Sequence, residues 1–141
     1  MHAATPKVGY RIELIELLVR VTPPGRLAVS LGRDSTTPPK PERNPIAHVR
    51  MVVSNAEGRS TFGCSGDRLS VRWLDKRPER SKSKKLAGLI RLCEFARETY
   101  LANPEFEDPF AKWRQAYDQI QRFGRDQGEE ELTNGYASAL M

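Results

Sequence analysis

A chain of 141 residues, 38% hydrophobic and 29% charged, has room for one domain with a modest core and is too apolar and too patterned to be wholly disordered. Its 23 Lys and Arg against 18 Asp and Glu give a net charge of +5, which permits weak attraction to polyanions without requiring it. No apolar run approaches the roughly 18 residues of a membrane helix, and "MHAATPKVGY" lacks the apolar centre of a secretory signal, so a soluble, reducing, cytoplasmic setting without membrane contact is expected.

Residues 1–9 read as a flexible N-terminus. The first patterned run, "YRIELIELLVRV" (Tyr10–Val21), supports two readings. Tyr10, Ile12 and Leu14 alternate with polar neighbours, and the alternation resumes out of phase at Leu17, Val19 and Val21. That is a strand with a bulge near Ile15–Glu16, because one extra residue reverses the inward face. A helix would instead gather Leu14, Ile15, Leu18 and Val21 on one side, with Glu16 four residues before Arg20.

"TPPG" (Thr22–Gly25) signals a turn, and "RLAVSLGR" offers a short edge strand at Leu27, Val29 and Leu31. The four prolines of "DSTTPPKPERNP" (Asp34–Pro45) call for an extended, exposed stretch, a candidate lid. Val49, Met51 and Val53 then alternate as a half-buried strand. "SNAEG" (Ser54–Gly58) carries turn chemistry and "RSTFGCS" returns, which makes an antiparallel hairpin.

Beyond the basic run, Leu86, Leu89, Ile90, Cys93, Phe95, Ala96 and Tyr100 recur at helical spacing. Ser81 or Ser83 can cap this helix, and Asn103–Pro104 ends it. Asp108 caps the next helix with Pro109 in its first turn, an apolar stripe of Phe110, Trp113, Tyr117, Ile120 and Phe123, and a stop at Gly124. The final segment repeats the spacing at Leu132, Tyr136 and Leu140, with glutamates in a first turn where the helix dipole favours them, and the chain ends mid-pattern. Cys64 and Cys93 have neither metal spacing nor a disulfide framework, and read as buried thiols.

This order, long strand, open loop, hairpin, glycine-bearing turn, loop and helices, predicts an α+β fold: a three-stranded antiparallel meander followed by a small helical bundle. It resembles the N-terminal capping domain of the enolase superfamily, in its mandelate racemase and muconate-lactonizing branch. "EGRSTFGCSGD" supplies Gly58, Gly63, Gly66 and Asp67, similar to the family's glycine and acidic motif at the end of its third strand. The glycines stand three apart, where the family has two. "RWLDK" (Arg72–Lys76) is similar to a segment that follows this strand in some members.

The resemblance implies a capping domain over residues 10–125, and over 126–141 the start of the helix that leads into a barrel. Tyr10–Val21 becomes the first strand. Asp34–Pro45 and Arg68–Pro78 become the loops that close over the barrel's site, with Arg68, Trp73, Asp75 and Lys76 as capping-loop candidates. The parent family is magnesium-dependent and removes a proton beside a substrate carboxylate. Its metal ligands and bases sit on barrel strands, which match no position here. No catalytic residue, metal ligand or cofactor is therefore expected in this chain. It is expected to be inactive alone, with a barrel-bearing polypeptide or a second copy of itself as partner.

One alternative stands beside this reading. Lys76, Arg77, Arg80, Lys82, Lys84 and Lys85 could neutralise phosphates with Trp73 as a stacking platform, in a free-standing basic α+β module that binds nucleic acid or an acidic protein. No helix-turn-helix, RNP or zinc-finger spacing accompanies them. Asp67 and Asp75 lack the neighbouring acids of a cation site. His48 reads as structural, and Ser65 in "GCSGD" lacks both the nucleophile-elbow pentapeptide and a triad order.

Overall fold

The computed structural model describes residues 9–21 and 45–141. Thr22–Gly25, the possible edge strand at Leu27–Leu31, and Asp34–Pro45 up to residue 44 lie outside the described residues, as do residues 1–8 of the expected flexible start. Gly9 is described, and it is buried: a Cβ there would come within 2.9 Å of the Phe106 carbonyl carbon. The Tyr10 and Glu107 backbones pair just beyond it.

Strands β1 (Tyr10–Val21), β2 (Pro45–Asn55) and β3 (Ser60–Arg68) form an antiparallel meander in the order β1-β2-β3. Tyr10–Val21 is thus a strand, and its bulge falls earlier than the sequence pattern places it. Ile12 pairs with Val53 and Leu14 with Val52, so Glu13 is the extra residue. The phase changes there: Ile12, Ile15 and Leu17 face the core while Leu14 turns outward. Glu13 is held at the bulge by hydrogen bonds from the Ser54 hydroxyl and, at 2.9 Å, from Arg11 Nε. The β2–β3 turn uses the chemistry of "SNAEG". Asn55 Oδ1 accepts from Glu57 N and Arg59 N, and Gly58 takes φ +78°, open to glycine at no steric cost.

Four helices follow: α1 (Val71–Leu74), α2 (Lys82–Leu101), α3 (Pro109–Asp126) and α4 (Glu131–Leu140). Arg68–Pro78 is therefore not one continuous loop. Leu69 and Val71 are buried, and their apolar area draws the segment back onto the core. Ser81 caps α2 and accepts from Lys84 N. Asp108 caps α3, its Oδ1 accepting from Phe110 N at 2.9 Å and Ala111 N at 3.1 Å.

Two helical stripes are rotated relative to the sequence reading. The buried face of α3 is Lys112, Ala116, Ile120, Gln121 and Gly124, with Trp113 and Phe123 partly buried and Phe110 exposed. Gly124 does not stop the helix, which runs on to Asp126. It keeps the surface low where Asn134 of α4 fills the space that a Cβ would take. The buried face of α4 is Thr133, Asn134, Ala137, Ser138 and Leu140, and Leu132 is exposed. These mostly small side chains let α4 pack closely on α2 and α3. The expected boundary after residue 125 therefore does not divide the packing: Ala137 and Leu140 share one core with Ile15, Val49, Leu89 and Ile120. Phe95 and Phe123 stack across α2 and α3 with centroids 3.9 Å apart.

Candidate interaction surface

The basic run begins just after α1, and much of it turns inward. Asp75 is 2% exposed and lies among cations. Arg77 grips it through Nε at 3.0 Å and Nη2 at 2.8 Å, Lys85 Nζ donates to its carbonyl at 3.0 Å, and Arg80 stands 3.6 Å away. The second buried acid is Glu129, in the α3–α4 connection, which accepts from Nη1 and Nη2 of Arg80 and lies 3.7 Å from Arg91. Arg77 also donates to the Gly128 carbonyl at 2.6 Å. These bonds tie residues 75–85 to residues 128–129, across the bundle. Arg77's hydrogen bond holds the Asp75 carboxyl down at about 2, and Asp75 in turn raises Arg77. Three of the six cations proposed for a polyanion grip, Arg77, Arg80 and Lys85, are thus engaged inside the fold. Lys82 and Lys84 lie in the exposed first turn of α2.

The capping-loop candidates are not brought to one place. Arg68 closes β3 as an exposed side chain, and its backbone carbonyl accepts from Tyr136 Oη at 3.4 Å. Trp73 is 66% exposed on α1, with Lys76 Nζ 5.1 Å from its ring centroid, a cation–π pair on the surface. Lys76 also donates to the Arg72 carbonyl at 3.0 Å. Asp75 faces the opposite way, into the ion-pair cluster. Trp73 and Lys76 face solvent while Asp75 anchors the segment that carries them.

Among the described residues, no element covers the outer face of the sheet. Side chains alternate across the strands, so the face turned from the helices carries the rows Leu14–Val52–Phe62, Glu16–Arg50–Cys64 and Leu18–His48–Gly66. The helices pack on the other face, through Ile15, Ala47 and Val49. Phe62 is 66% and Leu18 62% exposed, and every residue of β3 is exposed. Arg50 pairs with Glu16 in the middle row. The outer face therefore carries one apolar row, Leu14–Val52–Phe62, and the exposed Leu18, with an ion pair between them.

Other candidates take structural places. Gly66 leaves room for the His48 ring, since a Cβ there would stand 3.1 Å from Nδ1. Ser65 Oγ donates to the Leu140 carbonyl at 2.6 Å and joins β3 to α4. Asp67 Oδ1 accepts from the Arg68 amide at 2.6 Å. Cys93 is buried as expected, but Cys64 is exposed because it falls on the uncovered face of the edge strand. Among the described residues, no group of three or more His, Cys, Asp or Glu is placed to hold a metal ion, and no helix is long and apolar enough to cross a membrane.

Comparison of the chain with protein-family models, curated proteins and solved structures gives no match. Sequence reasoning placed Glu129 in a helix's first turn and gave Gly88 no role. The signals were present: a glycine inside an otherwise helical pattern, and a run of three acids some fifty residues after a run of cations.

Proposed function

We propose that the chain is a capping module, of the kind found in the enolase superfamily, which covers a reactive floor carried by another polypeptide. The supporting observation is the sheet's outer face, where Leu14, Leu18 and Phe62 stand exposed on the side that no described element covers. A sheet with one face in the core and a second apolar face is stable in a complex that buries both. The meander and bundle have the order that this reading requires, and Trp73 and Lys76 project from an anchored segment at the end of β3. Proton removal beside a carboxylate over magnesium would then be the work of the partner's residues.

The test mixes the purified chain with an enolase-superfamily barrel whose own capping domain has been deleted. A complex on gel filtration, together with restored magnesium-dependent exchange of the proton beside a carboxylate, is expected. Phe62→Asp and Leu18→Asp should weaken the complex at least tenfold without lowering the chain's own Tm. Turnover by the chain alone, or no complex at high concentration, overturns the reading.

A further inference from the structure

The inner face of the sheet is not fully roofed by the helices either. Along β2 and β3 runs an apolar trough in two adjoining parts, of about 460 Å³ and 410 Å³, which share Met51, Val53, Thr61 and Met141. Each lies within the range of about 300–1,000 Å³ that small-molecule sites occupy. One part is walled by Ile12, Tyr100 and Trp113; the other passes over Gly63, where a Cβ would meet nothing within 4 Å. The second part follows β3 from Thr61 to Ser65, over the bare backbone of Gly63.

Its lining contains one cation. Lys112 is 5% exposed, and its ammonium donates to the Asn103 carbonyl at 2.8 Å and the Glu105 carbonyl at 3.0 Å. An ammonium has three N–H donors, so among the described residues one is left without an acceptor, and leaving a buried charged donor unfilled is costly. Burial lowers the Lys112 pKa, and the carboxylates of Glu107 and Glu105 oppose that shift. The Glu107 carboxylate is engaged by Asn103 Nδ2 at 3.0 Å and Gln115 Nε2 at 3.3 Å.

We propose that this trough binds an unbranched acyl chain whose carboxylate accepts from the third N–H of Lys112, with the tail along Met51, Val53 and Gly63. The length of the trough selects a linear chain over a compact ring system, and the lone cation at one end fixes its direction. This proposal does not rest on the capping role: the trough is built mainly from inner-face residues of the sheet, Ile12, Met51, Val53 and Gly63, and meets the outer-face residues Phe62 and Cys64 only along the β3 edge.

The probes are dodecanoate and dodecan-1-ol, below their aggregation limits. The reporter is Trp113 fluorescence in a Trp73→Phe background, where it is the one remaining indole. Dodecanoate should give a saturable change and bind on the order of tenfold tighter than the alcohol, the value of one charge-assisted hydrogen bond. Lys112→Met should erase the difference between the two. Gly63→Leu should abolish binding of both while leaving the melting curve intact, since its side chain enters open space. Gly63→Leu keeps the test decisive even if Lys112→Met does not fold. No saturable signal with dodecanoate, equal binding of acid and alcohol by the parent, or full binding by Gly63→Leu overturns the proposal.

Discussion

Glu129 occupies the space above Gly88 that any side chain at that position would need. The carboxylate is held there by Nη1 and Nη2 of Arg80, so it is not the movable end of a flexible side chain. Alanine is intrinsically the better helix former by about 1 kcal/mol, yet in Gly88→Ala the clash outweighs that gain. The variant should lose about 1–3 kcal/mol, read as a lower urea midpoint and a Tm several degrees down. Gly63→Ala, with nothing near its Cβ, should be neutral in the same assays. Equal stability of the two variants would mean that Glu129 does not sit against α2.

The same cluster makes stability depend on acid. The Asp75 carboxyl is held at about 2 by Arg77 in the folded chain, and returns to about 4 on unfolding. The unfolded state therefore binds the proton more tightly. The stabilisation is fully present above about pH 4 and is lost as the pH falls towards 2. Urea midpoints measured from pH 5 to pH 2 should fall over that window. Asp75→Asn should be less stable at pH 7, because it removes the buried charge that Arg77, Arg80 and Lys85 surround, and should show a shallower acid slope.

The meander and the caps were legible from the sequence because local chemistry decides them. Asn55 and Gly58 specify their turn, Ser81 and Asp108 supply cap oxygens, and alternating Val49, Met51 and Val53 require a half-buried strand. Reading failed where a residue far along the chain decides. The α3 stripe is set by Asn134 and the bulk of α2, which favour Ala116 and Gly124 over the more hydrophobic Phe110. The bulge sits at Glu13 because Ser54, forty-one residues away, offers its hydroxyl there. The basic run looked like a surface because its partner acid, Glu129, arrives from another helix connection.

The two thiols should separate cleanly. Cys64 lies exposed on β3, while burial pushes the Cys93 thiol up to about 12, so that it stays protonated and enclosed at neutral pH. At pH 8 a disulfide reagent should titrate one thiol within seconds and the second only at the rate of unfolding. Cys64→Ser should abolish the fast phase and nothing else. Fast reaction of both thiols would mean that α2 is not packed as described. The raised Cys93 value also gives a stabilisation present below the unfolded thiol's pKa and lost as the pH climbs towards 12.

Asn134 presents the opposite case to Glu129, a buried polar group without compensation. It is 0% exposed, and among the described residues neither its Oδ1 nor its Nδ2 has a hydrogen-bond partner. Burying an unpaired amide costs about 1–3 kcal/mol, and asparagine is also among the weaker helix formers. Leucine has nearly the same shape and lacks the unmet donors. Asn134→Leu should therefore stabilise the chain by about 1–2 kcal/mol, whereas Asn134→Asp, which adds a charge at the same place, should destabilise it strongly. Gly124→Ala should destabilise it too, because Asn134 fills that space. Hydrogen exchange on α4 supplies the local readout. The parent's α4 amides should open well below the global unfolding free energy, and in Asn134→Leu they should approach it. A loss of stability in Asn134→Leu would mean that the amide is paired in solution, with a bound water as the simplest acceptor and donor for it.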